Sequence, residues 1–200
     1  MLTSVFKRTI FCIGLLWLAG SSVAQIPLLS ENFNECDLPS DWTVNLIGTG
    51  PASWLVGEPQ NSNSDGSTID GTCMLIIDDD AAGNNTPPYA IQFISPVFDG
   101  TVYSTLKLQL DVHFREIYGT SLKVFVDQDG QLQEVISLSD GQGTGEQFSE
   151  FIHLEADISF FASEQMSIVI QYDDNESWGW WAGVDTVSYT HLTLPTILLV

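Results

Sequence analysis

From Leu106 to Arg115 apolar and polar side chains alternate without a break. Leu106, Leu108, Leu110, Val112 and Phe114 stand on one side; Lys107, Gln109, Asp111, His113 and Arg115 stand on the other. Successive side chains of an extended chain point to opposite faces, so this spacing predicts a strand with one face in a core and the other in water. The same period recurs at Leu122, Val124 and Val126, and at Met166, Ile168, Ile170 and Tyr172. Between the 122–126 run and a further run at 132–136 lies Asp129-Gly130, a pair suited to the positive φ angles of a two-residue hairpin turn. The neighbouring Asp127-Gln128-Asp129-Gly130 begins like a calcium loop, but the later ligands and terminal Glu are absent, and the hairpin is the better reading. Shorter strands are predicted at 28–33, 42–46, 54–57, 73–77 and 89–94, with a last one from residue 180 onward. Gly-, Asn- and Ser-rich loops separate them at 48–51, 58–71, 81–88 and 140–145. No stretch has helical amphipathicity. Many short strands so spaced predict an all-β, two-sheet antiparallel sandwich.

The amino terminus stands apart. Lys7 and Arg8 precede an apolar run from Ile10 to Ala19, and Ser22-Val23-Ala24 supplies small residues at cleavage spacing. This predicts a secretory signal peptide over residues 1–24, cleaved after Ala24, and a secreted or cell-surface protein. The run falls short of the roughly 20 apolar residues of a membrane span, so no transmembrane helix is expected. Removing the signal takes Cys12 with it. Cys36 and Cys73 remain as a pair outside any metal-type spacing, most simply a disulfide in an oxidising compartment; two buried thiols are the alternative. The charge balance is lopsided, with 26 acidic against 5 basic residues and a net of -21, and two of the five basic residues leave with the signal. A nucleic-acid partner needs Lys and Arg to displace phosphate counterions and is excluded; an anionic membrane surface is disfavoured likewise.

At the other end, Val187–Thr196, VSYTHLTLPT, resembles one translation frame of a transposon-end adapter used in DNA sequencing libraries. On that resemblance the natural coding sequence stops inside the codon of residue 186 and the natural protein is longer. Residues 187–200 are then a non-native tail, and neither His191 nor the apolar residues 197–200 carry functional weight. Residues 25–186 form the single β domain.

Three further segments lie along that domain in a recognisable order. Glu31-Asn32-Phe33 is followed by Leu38-Pro39-Ser40-Asp41-Trp42-Thr43-Val44; Ile94-Ser95-Pro96-Val97-Phe98-Asp99 precedes the long 106–115 strand. Tyr172-Asp173-Asp174 then leads to Gly179-Trp180-Trp181-Ala182-Gly183-Val184-Asp185. In order and spacing they resemble the secreted choice-of-anchor J or cleaved-adhesin modules, related in shape to MAM domains. Asp41 replaces that family's usual Gly and Thr186 its usual Asn. The resemblance implies a β-jelly roll exported by bacteria of the Bacteroidetes type, acting in adhesion or binding of an extracellular protein or glycan. It is compatible with an ancillary domain of an exported protease or glycoside hydrolase, and with a carbohydrate-binding module. A sorting or catalytic domain would then lie downstream.

The resemblance also implies calcium, with Glu31 on the first strand and Asp185 on the last. Asp78-Asp79-Asp80 adds three adjacent carboxylates whose mutual repulsion a cation would relieve; a solvated acidic turn is the plainer reading of such a run. Trp178, Trp180 and Trp181 are the binding candidates. On a strand Trp178 and Trp180 share a face and Trp181 takes the other, so they cannot all enter one core, and an outward ring either anchors a ligand or packs beneath a loop. Trp42 and Trp54 are expected in the core. Catalysis finds no support: the sequence has no G-x-S-x-G and no H-E-x-x-H, the chain after residue 24 has no cysteine beyond the expected disulfide, and lone strand histidines such as His113 and His153 are ordinarily structural or solvent-facing. No catalytic residue is assigned.

Overall fold

The computed structural model describes residues 24–57, 72–83, 87–139 and 151–193. The predicted signal peptide up to residue 23, the predicted 58–71 loop, residues 84–86, residues 140–150 with the predicted 140–145 loop, and the tail from 194 lie outside the described residues. Eleven strands are described: β1 Ala24–Glu31, β2 Thr43–Gly48, β3 Leu55–Gly57, β4 Met74–Asp78, β5 Tyr89–Ile94, β6 Leu106–Phe114, β7 Ser121–Gln128, β8 Gln131–Leu138, β9 Ile152–Asp157, β10 Met166–Asp173 and β11 Trp181–Thr193. A single helical turn, α1 Asp79–Ala82, follows β4. One sheet has the order β3-β4-β11-β6-β9, with β1 also paired to β11; the other has the order β2-β5-β10-β7-β8. The strand pairs are antiparallel throughout. This is the two-sheet jelly-roll sandwich that the alternation and the resemblance led one to expect.

The core lies between the sheets and follows the period-two pattern. Leu106, Leu108, Leu110, Val112 and Phe114 are fully buried on one inner face; Ile168, Ile170, Tyr172, Val124 and Val126 are buried on the other. Each contributes on the order of 1.5–3 kcal/mol relative to exposure. Both tryptophans expected in the core are there. The Trp54 indole donates to the Ile91 carbonyl at 3.1 Å, and Trp42 stacks on Phe93 with ring centroids 4.6 Å apart. The Asp129-Gly130 hairpin is present as well: both residues have positive φ, 51° and 85°, and the Asp127 carboxylate accepts from the Gly130 N–H at 2.7 Å.

The structure departs from the sequence expectations in two places, and β11 has a feature of its own. His113, on the polar side of β6, is buried, because Met74, Ile76 and Trp181 with Phe151 and Trp180 build a second, smaller cluster on the outside of the six-stranded sheet. The strand β9 has no counterpart among the predicted strands; it pairs with β6 at the sheet edge. Finally, β11 runs through the adapter-like segment: Val187 and Tyr189 fill the core while Ser188 and Thr190 pair along the other phase. Register against β6 slips between Val184 and Thr186, so Asp185 is the extra residue of a β-bulge. The bulge resets the alternation, so Val184 and Val187 both face inward. Cys36 and Cys73 form a disulfide that ties the turn after β1 to the start of β4. With a sequence separation of 37 residues, closing that loop stabilises the fold by about 3–4 kcal/mol in the chain-entropy picture.

Candidate functional site

Three segments meet at one end of the sandwich: α1, the 115–120 connection between β6 and β7, and the 174–180 connection between β10 and β11. What joins them is a buried carboxylate. Along β4, Leu75 and Ile77 point to the core, and Asp79 continues that phase two residues later. Its side chain therefore enters the interior and is 1% exposed. Asp79 Oδ1 accepts from the Tyr89 hydroxyl at 2.5 Å, and Oδ2 accepts from the Tyr172 hydroxyl at 3.3 Å and from the Gly179 N–H. Gly179 is required by space: a Cβ there would lie 2.0 Å from the Tyr172 hydroxyl and 2.6 Å from Asp79 Oδ2. The next residue adds a backbone tie, Asp80 N–H to the Trp180 carbonyl at 2.8 Å.

A second buried carboxylate, Asp174, holds the start of the same loop. Its Oδ1 accepts from the Tyr89 N–H and the Glu176 N–H, both at 3.1 Å. The turn it supports runs through Asn175 and Glu176 with positive φ of 52° and 58°. Burial pushes the pKa of Asp79 up, against the opposing hydrogen bonds from Tyr89, Gly179 and Tyr172. Burial likewise raises Asp174, and both tyrosine hydroxyls are raised, first by burial and then by the neighbouring Asp79. The clamp is closed to solvent, so its chemistry is fastening.

What it fastens is an aromatic rim. Trp178 and Trp180 are half-buried, their rings 6.0 Å apart. Tyr118, 63% exposed, lies 6.2 Å from Trp178. The Arg115 guanidinium sits over Trp180, 4.8 Å from the ring centroid, in cation–π geometry. The Trp178 side chain hydrogen-bonds Asp80, whose pKa is nonetheless raised, first by burial and then by the Asp78 charge. The Tyr118 turn is closed by Glu116, whose Oε1 accepts from the Gly119 N–H at 2.9 Å. Gly119 packs on Asn175: a Cβ there would stand 2.6 Å from Asn175 Nδ2. Trp181 takes the opposite side, as the strand phase requires. It is buried, with His113 edge-on to its ring at 4.4 Å, so the ring surface at this end comes from Trp178, Trp180 and Tyr118.

The predicted acids disperse. The Asp78 carboxylate caps α1, Oδ1 accepting from the Ala81 N–H at 2.8 Å; Asp79 turns inward; Asp80 meets Trp178. As a set these three do not fit one shared ion, and among the described residues no group of three or more His, Cys, Asp and Glu side chains gathers to hold a metal. Glu31 and Asp185 share a different place, the seam of β1 and β11. Glu31 pairs with Val187, two residues beyond the buried Asp185, and Glu31 Oε1 accepts from the Phe33 N–H at 2.8 Å. Beside α1 a cavity of about 520 Å³ is lined by Ala52, Leu55, Val56, Ile76 and Ala82, and among the described residues its polar side chains are Ser53 and Asp78. Tyr118, Arg115, Tyr89, Tyr172, Asp174 and Gly179 were not singled out as site residues by the sequence. Extending the β4 alternation past Ile77 is the signal that finds Asp79 facing inward.

No family model and no curated protein sequence matches this chain. Among solved structures, it is similar to the K1 cleaved adhesin domain of Lys-gingipain from Porphyromonas gingivalis W83. The TM-score is 0.59 at 12% identity, over 80% of this chain and 96% of that one. The K3 cleaved adhesin domain of the same protein gives 0.50 at 9% identity, over 84% and 99%. TmCBM61, solved in complex with beta-1,4-galactotriose, gives 0.52 at 12% identity, over 80% and 94%. At such identities the likeness establishes the sandwich fold.

Proposed function

We propose that the chain is a non-catalytic binding module acting outside the cytoplasm, with the Tyr118–Trp178–Trp180 rim as its recognition surface. The observation that carries this reading is the clamp beneath the rim. Two half-buried tryptophans sit on a loop already fixed by Asp79 and Asp174. A ligand that stacks there meets large, rigid aromatic surface without an ordering cost at the loop. The similarity in fold to cleaved adhesin domains and to a galactotriose-binding module supports a binding role over a catalytic one. The disulfide suits an oxidising compartment, as does the predicted signal peptide. An ancillary, targeting role beside an exported hydrolase would use the same surface.

The test is to screen the full chain against a glycan array and immobilised extracellular proteins, then repeat the positive interactions with Trp178→Ala and Trp180→Ala. Each substitution should weaken binding about tenfold or more; the unfolding midpoint should change little for Trp178→Ala and fall for Trp180→Ala, whose ring also packs on the Met74–Ile76–Trp181 cluster. Binding that both variants retain at full strength would remove the rim from the reading.

The same reading includes a structural calcium ion, which Glu31 and Asp185 would hold at the seam of first and last strands. It is supported by the burial of Asp185 in the bulge close to the Glu31 register position. A chelator should then lower the melting temperature and added calcium restore it. An unchanged melting temperature, with no calcium recovered from the protein, counts against it.

A further inference from the structure

Acidic residues stand on each of the three segments that form the aromatic rim. Asp80 is hydrogen-bonded to Trp178. Glu116 closes the turn that presents Tyr118. Glu176 follows Asn175, which packs against that same turn at Gly119. The whole chain carries 26 acidic against 5 basic residues. Against this background stands Arg115, its guanidinium over the face of Trp180 at 4.8 Å. The rim therefore already holds one guanidinium, supplied by the chain itself, and the neighbouring surface of Trp178 and the 63%-exposed Tyr118 offers the same chemistry to another.

We propose that the rim recognises an arginine-rich segment of a partner protein, one side chain of which stacks on the exposed ring of Tyr118 where it adjoins Trp178, beside the internal Arg115–Trp180 pair. This rests on the rim being the recognition surface and names its partner class. Two physical effects favour a cation over a neutral polyhydroxy ligand. The ring quadrupoles attract a guanidinium face-on, more strongly where it is partly desolvated. The long-range field of a net -21 chain steers cationic segments in and turns anionic ones away. The Arg115 charge is outnumbered locally by Asp80, Glu116 and Glu176, so a second guanidinium enters a site that is still net negative. Arg suits this better than Lys because its planar group both stacks and donates to carboxylates in a fork.

The full chain is titrated with an eight-residue Arg-Gly repeat peptide, with the same peptide carrying citrulline in place of arginine, and with β-1,4-galactotriose, following tryptophan fluorescence and heat. The arginine peptide is expected to bind and to weaken about tenfold or more between 50 and 300 mM salt, with the citrulline peptide far weaker. Trp178→Ala and the exposed Tyr118→Ala should each lower its affinity about three- to thirtyfold, the range of one cation–π contact. Unchanged melting temperatures confirm that these variants fold. Salt-independent binding of galactotriose that Trp178→Ala abolishes, with no arginine-peptide binding, overturns the cationic partner and leaves the rim as the surface. An arginine peptide that binds equally well to both variants overturns the rim itself. Binding of none of the three probes overturns the cationic partner.

Discussion

Two regions of this molecule house carboxylates in opposite ways. At the rim end, Asp79 is buried with donors only: two tyrosine hydroxyls and a backbone N–H. On the outer face of the six-stranded sheet, β6 and β9 carry an open ladder. There Lys107 Nζ meets Glu155 at 2.6 Å, Gln109 donates to Glu155 at 2.6 Å, and His153 bridges Asp111 at 2.8 Å and Glu155 at 3.4 Å. Burial raises the Asp79 pKa. Hydrogen bonds from Lys107 and then Gln109 hold Glu155 down at about 2, and the Asp111 carboxylate raises His153. The ladder has more charges and more ion pairs, yet the clamp carries more of the architecture. A contact that water can replace weighs little, whereas a buried donor stripped of its acceptor finds no substitute.

The comparison breaks most readily at Asp79. Asp79→Ala strands three buried donors and should cost about 3 kcal/mol or more in urea unfolding; a loss below about 1 kcal/mol would place the clamp on a par with the ladder. Gly179→Ala presses a methyl onto the Tyr172 hydroxyl. The loop must shift, so a loss of about 1–3 kcal/mol is expected, together with a changed tryptophan emission from the rim.

Acidity separates the regions by sign. A folded-state pKa above the unfolded value means that the native form takes up the proton more readily. The stability of the wild type relative to Asp79→Asn should therefore rise as pH falls toward the ordinary value of 3.8. Glu155 does the reverse: its contribution is present above 4.5 and is lost as pH falls toward about 2, so the wild type should lose its advantage over Glu155→Gln in that window. For His153 the stabilisation is full below 6.5 and fades as pH rises through the raised folded value. Unfolding midpoints measured across pH for these variants give the sign of each; like slopes for Asp79→Asn and Glu155→Gln would erase the distinction. The smallest effect should be that of Glu155→Gln at neutral pH, where the exposed ladder gives way to water.

The sandwich was legible because its strongest signal is local. Five alternating apolar residues from Leu106 to Phe114 set the phase of β6 unaided, and Asp129-Gly130 set the hairpin. β9 was missed because its inward set, Ile152, Leu154 and Ala156, is short and only partly buried at a sheet edge. The acid run shows where sequence falls short. Asp78, Asp79 and Asp80 are chemically identical neighbours, and only the phase inherited from β4 sends the middle one inward. Its tyrosine partners lie 10 and 93 residues away, a convergence that composition and spacing cannot show. Of the three tryptophans Trp181 is buried while Trp178 and Trp180 are half-buried, and Tyr118 and Arg115 join the rim only through the packing of one turn on another.

The bulge at Asp185 behaves like a frameshift in side-chain space. Were β11 regular with Asp185 still in the count, Val187 and Tyr189 would turn to the surface and Ser188 and Thr190 to the core; the bulge absorbs that one residue, so deleting Asp185 would leave a regular strand with Val187 and Tyr189 still inward. The segment after the bulge is thus held to a parity: what β11 requires beyond Asp185 is apolar side chains at positions 187 and 189, where the sheet turns them into the core.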